Sequence, residues 1–159
     1  MIQQIREVRS ILLQTIAALT DEQLNHHPAT DKWSIGQVLY HLTMTDQWAG
    51  SAIALSLAQE TTPQPKARPV EMVLNRSIKI EAPDAFTPPD RSYTKSELIH
   101  LLEQTRHELE QVISPVTESA VLQEKSLPHP ILGPISLKQA LDLLLMHEQR
   151  HTEQIREMI

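Results

Sequence analysis

Two histidines one helical turn apart near the end of the chain, His147 and His151 in LLMHEQRHTEQI, can aim both imidazoles at one point. Neutral imidazole is a good ligand for zinc, nickel or iron, so the pair is half of a metal site that needs at least one more donor. The candidate third donor is His41 in WSIGQVLYHL, which its pattern places on a different helix. Three converging imidazoles would leave at least one coordination position open, as catalytic rather than closed structural metals require. A cation there would act as a Lewis acid toward water or a thiol, supplying a nucleophile that this cysteine-free chain lacks.

With eight histidines in 159 residues, an HxxxH pair alone is weak, and position has to decide. On a helical wheel His147 and His151 fall at the edge of the stripe formed by Leu137, Leu141, Leu144 and Ile155, so both can look into a core. His41 lies about 120° from the centre of the Ile35, Leu42 and Ile53 stripe, so periodicity alone does not bury it. The plainer alternative stays open, in which the three are hydrogen-bonded packing residues. His100 and His107 fall opposite the stripe of their helix and read as solvent-facing, while His26, His27 and His129 sit in loops beside prolines.

HEQRH at 147–151 also matches HExxH, the zinc-protease pattern in which Glu148 would be the general base. That reading wants a downstream ligand and strands to align a peptide. Only eight residues follow His151, none of them histidine, and no strand is evident. Glu148 instead projects toward the middle of an apolar stripe, where an unpaired carboxylate is costly. Asp46, Glu148 and Gln154 are the candidate acceptors for the outer ring nitrogens, and a carboxylate ligand from Asp46 would turn the site toward iron or manganese.

The elements that must position these residues are helices. Ile5, Val8, Ile11, Leu12, Ile16 and Leu19 repeat at helical spacing over residues 3–19. Thr20 with Gln23 starts a short turn that Pro28 cuts. Ser34 with Gln37 caps a long helix to about residue 60, Thr94 with Glu97 starts another that ends near Pro115, and Ser136 with Gln139 starts the last. Between them, residues 61–93 hold six of the eleven prolines and read as a long crossover, with VEMVLNRSIKI a short helix or an extended piece. Residues 116–135 form a second proline-rich connection. The expectation is an all-α fold, one four-helix-bundle domain over 1–159 with a crossover between its second and third long helices.

Composition narrows the function. A formal charge of −6 and no basic patch argue against nucleic acid and anionic membrane. No segment has the length and apolarity to span a bilayer and no apolar signal core opens the chain, so a cytoplasmic protein is expected.

DEQLNHHPATDKWSIGQVLYHL, HPILGPISLKQAL and LLMHEQRHTEQI together resemble the DinB/YfiT-like superfamily of metal-dependent enzymes, with order and spacing kept at both ends of the chain. The resemblance implies a four-helix bundle, often a homodimer, with a divalent metal (Zn, Ni or Fe) held by His41, His147 and His151. It implies a hydrolase or a low-molecular-weight-thiol S-transferase acting on a small molecule, and it does not cover the crossover. A non-catalytic metal-binding or dimeric interaction protein is the alternative. The crossover at 61–93 is long enough to lie over the site as a lid, but its Lys66, Arg68 and Arg76, with Arg91, read as the basic residues of a solvated loop before anion ligands. Trp33 reads as a hydrophobic anchor, and Trp48 as a residue facing a dimer partner.

Overall fold

A computed structural model describes residues 1–159. Helix α1 spans Ile2–Ile16, the short α2 Asp21–Asn25 and α3 Ile35–Ala58; α4 spans Lys95–Ile113, the short α5 Ser119–Glu124 and α6 Leu137–Arg156. Helices α2, α3, α4 and α6 start where the caps predict. Thr20 and Ser34 each accept from the backbone N–H three residues on, and Gln23 and Gln37 return the bond to the cap N–H. Thr94 and Ser136 accept in the same way but receive nothing back, because Glu97 takes Arg91 and the Gln139 amide donates to the Arg68 carbonyl.

The four long helices, α1, α3, α4 and α6, pack as a bundle, α3 lying on α4 and α6, and α1 on α6. Their stripes fill two apolar clusters. One is centred on Ile5, Ile53, Leu109 and Leu141, the other on Leu12, Leu39, Leu102 and Ile155. Ile11, expected on the stripe, is 41% exposed, and Arg9 turns inward instead.

Between the clusters lies a buried charged layer with one residue from each long helix: Arg9, Asp46, Arg106 and Glu148. Arg9 Nη2 donates to Asp46 Oδ2 at 2.8 Å and its Nε to Glu148 Oε1 at 2.8 Å. Arg106 Nε reaches Asp46 Oδ2 at 3.1 Å, and its Nη2 bonds Glu148 Oε2. Four groups this deep are tolerated only because each charge faces two of opposite sign. Burial pushes the Asp46 carboxyl up, while the guanidinium groups of Arg106 and Arg9 pull it down.

The crossover contains two short 3-10 turns, Val70–Leu74 and Asp84–Phe86, which resolves VEMVLNRSIKI as helical at its start. The first turn lies along α6 and the second against α3. Arg150 on α6 binds the crossover backbone, Nη1 donating to the Val73 and Asn75 carbonyls and Nη2 to that of Ile78, each at 2.8 Å. Arg76 answers by donating to the Arg150 carbonyl at 3.1 Å and pairing with Glu157.

The second connection differs from expectation, since besides α5 it holds an antiparallel hairpin, β1 (Ser126–His129) with β2 (Gly133–Ser136). Prolines hid it. Pro128 lies opposite Pro134, a pairing open to two residues without N–H groups where an antiparallel ladder makes no bond. Gly133, at φ 73°, takes the left-handed conformation that closes the turn. No helix is long and apolar enough to cross a membrane.

Replacing Glu148 by Ala leaves Arg9 and Arg106 sharing one carboxylate in the core. Urea unfolding should show a loss of about 3–5 kcal/mol, and a loss below 1 kcal/mol would mean that the layer does not hold the bundle together.

Candidate metal centre

His41, His147 and His151 meet on one side of the charged layer. Glu148 is drawn inward by Arg9 and Arg106, which fixes the rotation of α6 and leaves His147 and His151 facing α3. His41, two turns into α3, is only 4% exposed although the wheel leaves it on a flank. The crossover supplies the missing wall. The His41 Nδ1 lies 2.8 Å from the Phe86 carbonyl, and its ring packs against Trp33 with centroids 5.2 Å apart.

The ligand-type atoms of the three residues lie within 4.8 Å of one another. His147 Nε2 is 3.3 Å from His41 Nε2 and 3.1 Å from His151 Nε2. The outer nitrogens decide the protonation. The Phe86 carbonyl can only accept, so His41 carries its proton on Nδ1; His151 Nδ1, 2.8 Å from Gln154 Oε1, must likewise donate. Both rings therefore present bare Nε2 lone pairs to His147, whose single Nε2 proton can serve only one of them. Burial holds all three rings neutral. It lowers the pKa of His41 against the Phe86 bond, drives that of His147 well down with help from His151 and His41, and lowers that of His151 to about 3.

A cation resolves this crowding of lone pairs. Nitrogens about 2.1 Å from a common tetrahedral centre lie about 3.4 Å apart, close to the spacings here. The residues fit a divalent metal, and an all-imidazole set suits zinc, nickel or iron(II).

The other candidates divide cleanly. Gln154 is the expected acceptor for His151, but the acceptor for His41 is a backbone carbonyl of the crossover, which no side-chain pattern reveals. Asp46 and Glu148 do not join the site, because the arginines hold their carboxylates; manganese by way of Asp46 and an HExxH base at Glu148 both fall away. His26, His27, His100 and His107 are exposed. Arg68 donates to the Leu132 carbonyl and Arg91 pairs with Glu97, so both are structural. Trp48 does not face outward as expected but lies edge-on between Phe86 and His129, at 5.8 and 5.7 Å. Trp33, expected as an anchor, also borders the site.

The imidazoles open into a cavity of about 380 Å³ between α3, α6, the hairpin and the crossover. Its walls are mostly apolar, with Trp48, Val73, Ile80, Phe86 and Leu143 among them.

A family model described as the DinB superfamily matches residues 4–155. The chain belongs to the DinB superfamily. Among its relatives, the uncharacterized protein YuaE of Bacillus subtilis (strain 168) is 28% identical over 152 residues, covering 96% of this chain and 93% of YuaE. The fold resembles that of YfiT from Bacillus subtilis, described as a probable metal-dependent hydrolase with an unusual four-helix bundle topology. The TM-score is 0.66 at 24% identity, over 99% of this chain and 82% of that one. A DinB-superfamily four-helix bundle is thus established.

The histidines give the metal-free protein a signed pH dependence. The unfolded chain takes up protons below about pH 6.5, which the buried rings refuse down to about 3 for His151. Stability is full above pH 6.5 and falls as the pH drops toward 3; urea midpoints of chelator-treated protein should show it, with a shallower slope in His151→Gln. The Arg150 clamp gives a second expectation: Arg150→Met should speed hydrogen exchange across residues 70–80 at least tenfold while α1 and α4 keep wild-type protection.

Proposed function

We propose that this protein is a metal-dependent enzyme, in the first place a hydrolase, with His41, His147 and His151 as ligands of one divalent ion. The convergence of three neutral imidazoles, two with their outer N–H groups already bonded, carries the reading. The description of YfiT as a probable metal-dependent hydrolase supports it.

A bound divalent ion would contribute Lewis acidity at the floor of the cavity. The chain's own residues do the rest. Phe86 and Gln154 hold the His41 and His151 rings at fixed angles, so little ordering is left to do on binding. All three ligands are neutral, so the ion would keep its full positive charge toward a substrate. The apolar walls keep water sparse and strengthen that field. Asp46 and Glu148 are held by the arginines and serve no proton transfer.

Elemental analysis of untagged protein purified without chelator tests the reading. About one divalent ion per chain is expected in the wild type and none in His147→Ala, with the helical circular dichroism unchanged. Hydrolysis of an ester and amide panel should then disappear on chelation and in each single histidine variant. Absence of metal, even after reconstitution with zinc, nickel or iron, would overturn the proposal. Bound metal with no turnover of any panel member would favour a non-catalytic metal-binding protein.

A further inference from the structure

His129 is the fourth histidine on the wall of this cavity and takes no part in the three-histidine cluster. Its Nδ1 accepts two backbone N–H groups of its own turn, from Ile131 at 3.2 Å and Leu132 at 3.1 Å. An imidazole that accepts at Nδ1 is neutral with its proton on Nε2. The hairpin thus fixes one tautomer and leaves Nε2–H as the polar group that His129 brings to the wall. Trp48, edge-on at 5.7 Å, holds the ring in place.

The remaining polar wall groups are committed or peripheral. Thr45 donates its hydroxyl to the Leu42 carbonyl. The Arg150 guanidinium is turned to the three crossover carbonyls. Glu81, on the crossover, is exposed. The cavity therefore offers no unengaged guanidinium or ammonium group to a carboxylate or phosphate. At about 380 Å³ it is near the small end of ligand sites.

From this arrangement we infer that the cavity takes a compact, uncharged, largely apolar molecule whose hydrogen-bond acceptor is held by His129 Nε2–H. Its reacting group then faces His41, His147 and His151, the one point at which the inference rests on the proposed function. An acceptor brought into an apolar cavity needs a donor, and His129 supplies one without adding charge. Burial, which lowers the His129 pKa, keeps the ring in that neutral form.

Trp33 and Trp48 are the chain's two tryptophans and both border the cavity, so intrinsic fluorescence reports on this site. Chelator-treated full-length protein is titrated at alkaline pH with acetophenone, with ethylbenzene, which lacks the acceptor, and with benzoate, which carries a charge. Acetophenone should bind, ethylbenzene about tenfold more weakly, and benzoate without detectable effect. In His129→Asn the shorter amide oxygen can still accept the turn's N–H groups while the distal donor is gone. Acetophenone should then fall to the ethylbenzene affinity, with ethylbenzene unchanged, and His129→Gln, which restores a distal N–H, should recover part of the difference.

Equal or tighter binding of benzoate overturns the inference, as does an acetophenone affinity untouched in folded His129→Asn; the wild-type comparison does not depend on any variant folding. Zinc uptake is measured separately. Uptake without the acetophenone preference overturns the cavity reading and leaves the metal centre standing, whereas the preference without uptake supports the cavity reading and sinks the metal centre.

Discussion

The buried charged layer of Arg9, Asp46, Arg106 and Glu148 is the constraint on which the rest of the structure depends. Apolar contacts between helices tolerate small slides and rotations, because one methyl group can replace another at similar cost. Charges buried in a core do not, since any shift that separates a carboxylate from its guanidinium groups exposes the full desolvation penalty. One residue from each long helix enters the layer, so the register and rotation of all four helices are coupled. Glu148 faces the layer, and its neighbour His147 must therefore face away from it, toward His41. The HExxH spacing acquires a structural meaning here: the glutamate orients the helix, and the histidines use that orientation.

The second constraint is the crossover. A four-helix bundle with short loops would leave His41 on a flank, wet and free to turn. Here the chain returns along α6, is held by the Arg150 guanidinium, and brings the Phe86 carbonyl to the His41 ring. That one backbone bond chooses the tautomer and gives His41 the same protonation pattern as His151. The crossover also carries much of the apolar wall, so it both completes the site and encloses the space above it. Proline suits this task because it keeps a long connection stiff without helical or sheet pairing.

Enclosure and neutrality act together. The imidazoles are buried enough to resist protonation, the carboxylates that might have joined them are held by arginines, and Arg150, the one guanidinium on the wall, is turned to backbone carbonyls. The electrostatic character of the cavity is therefore set by oriented neutral groups. A cation held beside the three imidazoles would thus be the dominant field in the cavity.

Much of this was legible in the residues alone. Apolar periodicity marked the four long helices and cap signatures marked the starts of three of them, because both are local and follow from one turn of backbone geometry. The spacing of His147 and His151 placed two imidazoles together for the same reason, and the proline cluster at 61–93 marked the crossover. Local pattern could not show that Arg9 turns inward while Ile11 faces solvent, since the partners that make a buried guanidinium tolerable lie on three other helices. Nor could it bury His41, whose acceptor is a backbone carbonyl that carries no side-chain signature. The hairpin escaped notice because its paired prolines resemble a broken loop until their opposition is seen. Residue pattern alone was enough for the long helices, the four caps and the candidate ligands, which depend on neighbours within a few residues, but not for α5. Tertiary structure alone decided which of those residues face one another, because burial, tautomer and charge pairing depend on atoms brought together from distant parts of the chain.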